Sequence, residues 1–129
     1  MIGYGDTFMF ADENDPKGHL RIIITKPNEQ GEVVTVPVTT RRKYSDAIVP
    51  LEANDHPRIT HSSVVEFAYA KVMTILEIEA LIKSYDAKRK EPMDEKVLDR
   101  CRKGAVESDN TPNGVRSFVK SLLEPARES

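Results

Sequence analysis

The sequence has no tryptophan, a single cysteine and no long apolar run. With four Tyr and four Phe, it is too poor in aromatic residues for a broad base-stacking surface. Cys101 has no second cysteine to pair with, which excludes an internal disulfide and fits a reducing cytoplasm. No apolar stretch approaches the roughly 18 residues that a membrane span needs, and the opening MIGYGDTFMF lacks the regions of a secretory signal. We therefore expect a cytoplasmic protein that does not enter a membrane.

The chain also lacks an excess of charge of either sign. Its 19 Lys and Arg oppose 21 Asp and Glu, which gives a net charge of -2. This balance excludes a protein that is basic throughout and leaves only a local basic patch for binding nucleic acid. The length of 129 residues fits one domain with one buried core. We predict a single domain over residues 1–129.

The pattern of apolar residues changes near residue 73. Before it, β-branched segments separated by turns predict five short strands, at residues 4–10, 20–25, 32–39, 47–51 and 64–70. Pro37 interrupts the third strand and is expected at an edge or a bulge. After residue 73, helical spacing predicts three helices, which begin at Thr74, Asp94 and Thr111. The polar residues 83–92 between two of them predict a solvated connection. We therefore predict an α+β fold, a small and strongly bent β-barrel (residues 1–73) on which a helical part (residues 74–129) packs.

Histidine is the residue type best suited to acid–base chemistry near neutral pH, and the chain has three. His19 follows a glycine-containing loop and enters the isoleucine-rich strand, which would hold its ring rigidly; an exposed or capping role is the alternative. His56 stands in NDHP, where a turn role is the alternative. With His61 nearby, two imidazoles and one Asp do not supply the three or four convergent ligands of a metal site. We predict neither a metal nor a cofactor.

Hydroxyl groups and cations follow one another at the end of the third strand. Thr39 and Thr40 precede Arg41, Arg42 and Lys43, a combination that can bind phosphate through charge-assisted hydrogen bonds. A solvated basic loop is the alternative, as an ordinary turn is for the Ser62-Ser63 pair. The sequence contains no P-loop, no dinucleotide fingerprint and no nucleophile elbow. These residues alone indicate a small β-rich domain with a candidate histidine-centred site.

Four short motifs occur in an order that resembles the MazF/PemK family of toxins from bacterial toxin–antitoxin pairs. The motifs are Gly5-Asp6-Thr7-Phe8, the strand ending Ile22 to Thr25, the strand end Pro37 to Thr40, and Ser63-Val64-Val65. The segment NDHPRITHSSVVEF is similar to a divergent PemK-like group with the pattern G-D-H-P-x-I-x-[HK]-x-S. The resemblance covers about residues 3–85 and leaves residues 92–129 unexplained.

The resemblance implies an SH3-like barrel, a homodimer, and a cognate antitoxin protein as partner. It also implies metal-independent cleavage of single-stranded RNA, in which a ribose 2′-OH attacks the adjacent phosphate and leaves a 2′,3′-cyclic phosphate. The family's strand-end threonine falls on Thr39, and its arginine falls on His19, where an imidazole can accept the 2′-OH proton. Arg21, two residues further on, could supply the charge that the missing arginine would carry.

The site expected on this basis combines a catalytic set with an RNA-binding set. The catalytic set is His19, Thr39, His56 and Ser63, and the RNA-binding set is Arg21, Arg41, Arg42 and Arg58. The acidic balance and the extra helices favour a rival of another class, a non-catalytic SH3-like module that recognises a protein or peptide. A third hypothesis is a phosphate-binding regulator that uses residues 39–43.

Overall fold

The computed structural model describes residues 1–12, 15–43 and 45–123 of the chain, and in them an antiparallel sheet carries three α-helices. The strands are β1 (Thr7–Asp12), β2 (Asp15–Ile23), β3 (Glu32–Thr40), β4 (Pro50–Leu51), β5 (Ser63–Val65), β6 (Lys71–Thr74) and β7 (Ala87–Lys90). The helices are α1 (Ile75–Lys83), α2 (Glu95–Glu107) and α3 (Asn113–Leu123). The α+β class and the three helices are confirmed. Residues 124–129 of the predicted domain lie outside the described residues.

β3 is the strand around which the sheet is organised. One edge of β3 pairs with β2, while the other edge pairs with β6 over residues 32–35 and then with β5 over residues 38–40. Pro37 stands between these two partners, where no residue of β5 or β6 is opposite it. The expectation of an edge position for Pro37 is met only locally, because this proline lies inside the sheet at the point where β3 changes partner along one edge.

The sheet stays open, unlike the predicted barrel. Its strand order is β4-β5-β3-β2-β1-β7, with β6 also on β3, and within the described residues no pairing joins β4 to β7. The part of the chain that the structure describes contains seven strands where five were predicted. β7 lies in the stretch that is predicted as a solvated connection. It is not predicted as a strand because its sequence, AKRK, has one apolar residue and gives no strand pattern. Lysine and arginine are common on edge strands such as this one, where they oppose pairing with another chain.

The predicted strand over residues 64–70 is a strand only at its start. β5 ends at Val65, because the next backbone N–H, that of Glu66, donates to Pro37 O at 3.0 Å. The chain then makes a short 3-10 turn, Phe67–Tyr69, before β6 begins. Phe67 is fully buried, whereas the side chain of Tyr69 is 65% exposed, so the two do not share a face as strand alternation predicted.

The two faces of the sheet bury separate apolar clusters. α2 and α3 cover one face, which we call the α2/α3 face, and pack there on Leu20, Ile22, Val34, Val36 and Val38. α1 covers part of the opposite face, the α1 face, and packs there on Phe8, Ile23, Val33 and Met73. Alternate residues of β2 and β3 thus point to different helices. None of the helices in the described residues is long and apolar enough to span a membrane.

Cys101 lies within α2 in the larger cluster and has no exposed surface. Burial raises the pKa of its thiol to about 12, because the thiolate would be desolvated. We therefore expect the folded protein to resist a thiol reagent such as dithionitrobenzoate at pH 8. Labelling should become fast in denaturant and should follow the unfolding transition. Rapid stoichiometric labelling of the native protein would contradict this burial.

Candidate functional site

His19 and Thr39 lie on neighbouring strands and on the same face of the sheet. β2 and β3 pair antiparallel through Arg21 with Pro37, Ile22 with Val36 and Ile23 with Thr35. His19 and Thr39 each lie two residues beyond the Arg21–Pro37 pair, so alternation directs both side chains to the α1 face. His19 is exposed and Thr39 is partly exposed. The juxtaposition predicted from the sequence is therefore compatible with the strand register.

The helices leave this end of the α1 face uncovered. α2 and α3 pack on the opposite face, against the residues of β2 and β3 that alternate with His19 and Thr39. α1 packs at the other end of the strands, over Ile23 and Val33. We call the remaining part, which carries His19, Arg21, Thr39 and Lys71, the uncovered strip.

Arg21 of β2 crosses the uncovered strip and binds β3 and the 3-10 turn. Its Nε donates to Thr35 Oγ1 at 3.1 Å and its Nη2 donates to Tyr69 O at 2.7 Å. Thr35 Oγ1 in turn donates to Lys71 O at 3.3 Å, and Thr35 has no exposed surface. Because its guanidinium group is committed to these contacts, Arg21 fixes the backbone that leads from the 3-10 turn into β6.

His56 does not join His19. Its side chain is 3% exposed and its ring lies near Thr7 and Glu91, on the α2/α3 side of β1. The backbone N–H of Arg58 donates to Nδ1 at 3.0 Å, so Nδ1 is an acceptor, and Nε2 donates to Glu91 O at 2.6 Å. Both ring nitrogens are thus used by the backbone, and the geometry corresponds to the neutral ring with its proton on Nε2. This placement departs from the predicted catalytic role and indicates a structural one.

Truncation of His56 separates the structural role from the catalytic one. We expect His56→Ala to lower the free energy of unfolding by about 1–3 kcal/mol, because the Arg58 N–H and the Glu91 carbonyl lose their partner. The exposed His61→Ala should change it by less than about 0.5 kcal/mol. Urea unfolding measures both. A folded His56→Ala protein that lost RNA cleavage selectively would restore the catalytic assignment.

Ser63 is also turned away from the uncovered strip. It is 4% exposed, it pairs with Thr40 rather than with Thr39, and its hydroxyl donates to His61 O at 2.9 Å. The structure instead brings together a pair that the sequence did not single out, with His61 Nε2 at 2.8 Å from Thr40 Oγ1 on the surface. Only the pairing of β3 with β5 brings these two residues together, so spacing along the chain gave no indication of it.

The predicted RNA-binding arginines occupy different surroundings. Arg41 and Arg42 are exposed directly after β3, and Arg41 N–H donates to Ser62 O at 3.1 Å. Arg58 lies instead beside Glu91, with Nε 3.8 Å from Oε2, and both side chains are about half exposed. The backbone hydrogen bond of Glu91 and then Arg58 lower the pKa of this carboxyl. Arg58 therefore belongs with His56 and not with the strand end that carries Thr39.

A cavity of about 480 Å³ lies at the α2/α3 side, and no predicted site residue lines it. The hydroxyl of Tyr4 donates to both oxygens of Glu95 at 2.7 Å and accepts from Arg102, whose side chain is 15% exposed. Burial, and then the hydrogen bond to Glu95, raise the pKa of Tyr4. Leu122 and Leu123 complete the wall. These polar groups satisfy one another, which is typical of a structural network.

Scans against protein-family models, curated proteins and solved structures each returned no match. The resemblance to the MazF/PemK family therefore rests on its motifs and stays a prediction. Among the described residues, no three His, Cys, Asp or Glu side chains converge as a set of metal ligands.

Proposed function

We propose that this protein is a metal-independent endoribonuclease of the MazF/PemK type, with its active centre on the uncovered strip. The observation that supports it is the register of β2 and β3, which places His19 and Thr39 on one face while α2 and α3 cover the other. A histidine and a hydroxyl group that share an accessible face can act together on one phosphodiester.

The proposed reaction needs a base and a group that binds the phosphate. His19 accepts the proton of a ribose 2′-OH, and the 2′ oxygen attacks the adjacent phosphorus. The bond from phosphorus to the 5′ oxygen breaks, and the 5′ oxygen takes up a proton from water as it leaves. The hydroxide that remains takes back the proton held by His19, which regenerates the base. The products are a 2′,3′-cyclic phosphate and a 5′-OH. The Thr39 hydroxyl donates a hydrogen bond to a phosphate oxygen during the attack.

The roles of the arginines follow from their surroundings. Arg41 and Arg42, exposed directly after β3, bind the RNA backbone through its phosphates. Arg21 acts through the segments it holds, because its guanidinium group already binds Thr35 and Tyr69. The proposed centre does not include His56, Ser63 and Arg58. Their side chains contact Glu91 or the backbone of His61 and not the uncovered strip.

Cleavage in the presence of a chelator tests this function. Purified protein is incubated with single-stranded RNA and EDTA, and the ends of the fragments are identified. Fragments with 2′,3′-cyclic phosphate and 5′-OH ends are expected. Intact RNA at micromolar protein would refute the nuclease and favour the non-catalytic binding module.

The finer fold prediction belongs to the same proposal. β3 changes partner from β6 to β5 along one edge. We propose that the sheet bends at this change of partner, as the sheet of an SH3-like fold does. The homodimer and the antitoxin partner stay predictions of the same family resemblance.

A further inference from the structure

An exposed aromatic residue lies on a firmly held turn that contacts Arg21 of the uncovered strip. Tyr69 ends the 3-10 turn, and 65% of its side chain is exposed. The turn is anchored by Phe67, which is fully buried, and by the N–H of Ala70, which donates to Phe67 O at 3.1 Å. Arg21 binds the carbonyl of Tyr69 at 2.7 Å from the β2 side. The aromatic ring is therefore attached to a fixed backbone.

An exposed lysine follows Tyr69 two residues later in the chain. Lys71 pairs with Thr35 in the β3–β6 ladder, which directs its side chain to the α1 face. Arg21 and His19 are directed to the same face. Lys71 is exposed, and among the described residues no carboxylate lies within ion-pair distance of it. A stacking surface next to a free cation is the pair of features with which proteins bind single-stranded nucleic acid.

We propose that Tyr69 and Lys71, positioned by Arg21, form a subsite for one unpaired nucleotide of the RNA substrate. Tyr69 stacks on the base and Lys71 binds an adjacent phosphate. This inference rests on the proposed nuclease function and adds a base-binding subsite to it, which takes a nucleotide whose base is free to leave its own stack. A duplex is excluded because its bases are already paired and stacked.

The test measures binding separately from cleavage. Fluorescence anisotropy of a short labelled single-stranded RNA is recorded with the His19→Ala protein, which keeps the RNA intact. In that background, Tyr69→Ala should weaken binding roughly 5- to 150-fold, the range that stacking on one base supplies. Tyr69→Phe, which keeps the ring, should bind like the parent. An RNA duplex of the same length should bind more weakly than the single strand.

The contribution of the Lys71 charge is tested through the salt dependence of RNA binding. Lys71→Gln should reduce the slope of log K against log salt by about 0.7, as expected for one lost phosphate contact with a single strand. Lys120→Gln removes the same charge from α3, on the other face, and should leave the slope unchanged. Circular dichroism establishes that each variant is folded.

Each outcome distinguishes the subsite from the nuclease. One outcome is RNA binding that depends on Tyr69 while the protein that retains His19 does not cleave RNA. This outcome would overturn the proposed nuclease function and support the proposed subsite. Cleavage together with an unchanged affinity in Tyr69→Ala would overturn the subsite and leave the nuclease standing. Absence of RNA binding by the His19→Ala parent would overturn the subsite as well.

Discussion

Replacement of His19 with alanine is expected to lower the rate of RNA cleavage about 10²–10⁴-fold, the usual contribution of a general base. The imidazole is exposed midway along β2, so the fold should tolerate its loss. The free energy of unfolding should change by no more than about 1 kcal/mol. Single-turnover cleavage and urea unfolding of the same preparation measure the two effects.

A matched comparison makes this result specific to His19. His61→Ala removes another exposed imidazole, one that contacts Thr40 and not the uncovered strip, and it should cleave at close to the parent rate. Equal cleavage by His19→Ala and the parent would end the catalytic assignment.

Replacement of Gly104 with alanine is expected to destabilise the protein although alanine favours helices. A Cβ at this position of α2 would lie 2.7 Å from Phe67 Cζ and 2.7 Å from Val49 Cγ2, both of them buried. Overpacking of this kind costs about 1–3 kcal/mol, while the gain in helix propensity from Gly to Ala is about 1 kcal/mol or less. We expect a net loss of about 1–2 kcal/mol, measured by urea unfolding.

Gly114 provides the matched control in α3. A Cβ there has no atom within 4 Å, so only the propensity term remains. Gly114→Ala should therefore stabilise the protein by up to about 1 kcal/mol. If Gly104→Ala proved as stable as Gly114→Ala, α2 would not pack as closely on the 3-10 turn as the structure shows. The turn that carries Tyr69 would then lack its support from beneath.

The sequence predicts the fold where each segment carries its own pattern. The isoleucines of β2, the threonine cap of α1 and the apolar stripe of α2 identify their elements locally, and Thr74 Oγ1 indeed accepts from Glu77 N at 3.0 Å. β7 could not be predicted, since its strand conformation comes from pairing with β1. The open sheet could not be predicted either, because closure depends on which strand edges meet.

The site is predictable to the extent that it depends on alternation along paired strands. His19 and Thr39 share a face because β2 and β3 keep a regular register, which the hairpin between them already suggested. His56 was misplaced because its burial depends on Glu91, 35 residues away in sequence. The arrangement of Arg21, Tyr69 and Lys71 depends in the same way on the β3–β6 pairing, which no local pattern reveals.

The most direct test of the proposed nuclease uses an RNA with one 2′-deoxyribose at a mapped cleavage position. In EDTA, the protein should cut the all-ribose strand to a 2′,3′-cyclic phosphate and leave the deoxy-substituted bond intact, because the attacking 2′-OH is absent. Cleavage that persists at the deoxy position would contradict the account, since the base on His19 would then have no 2′ proton to remove.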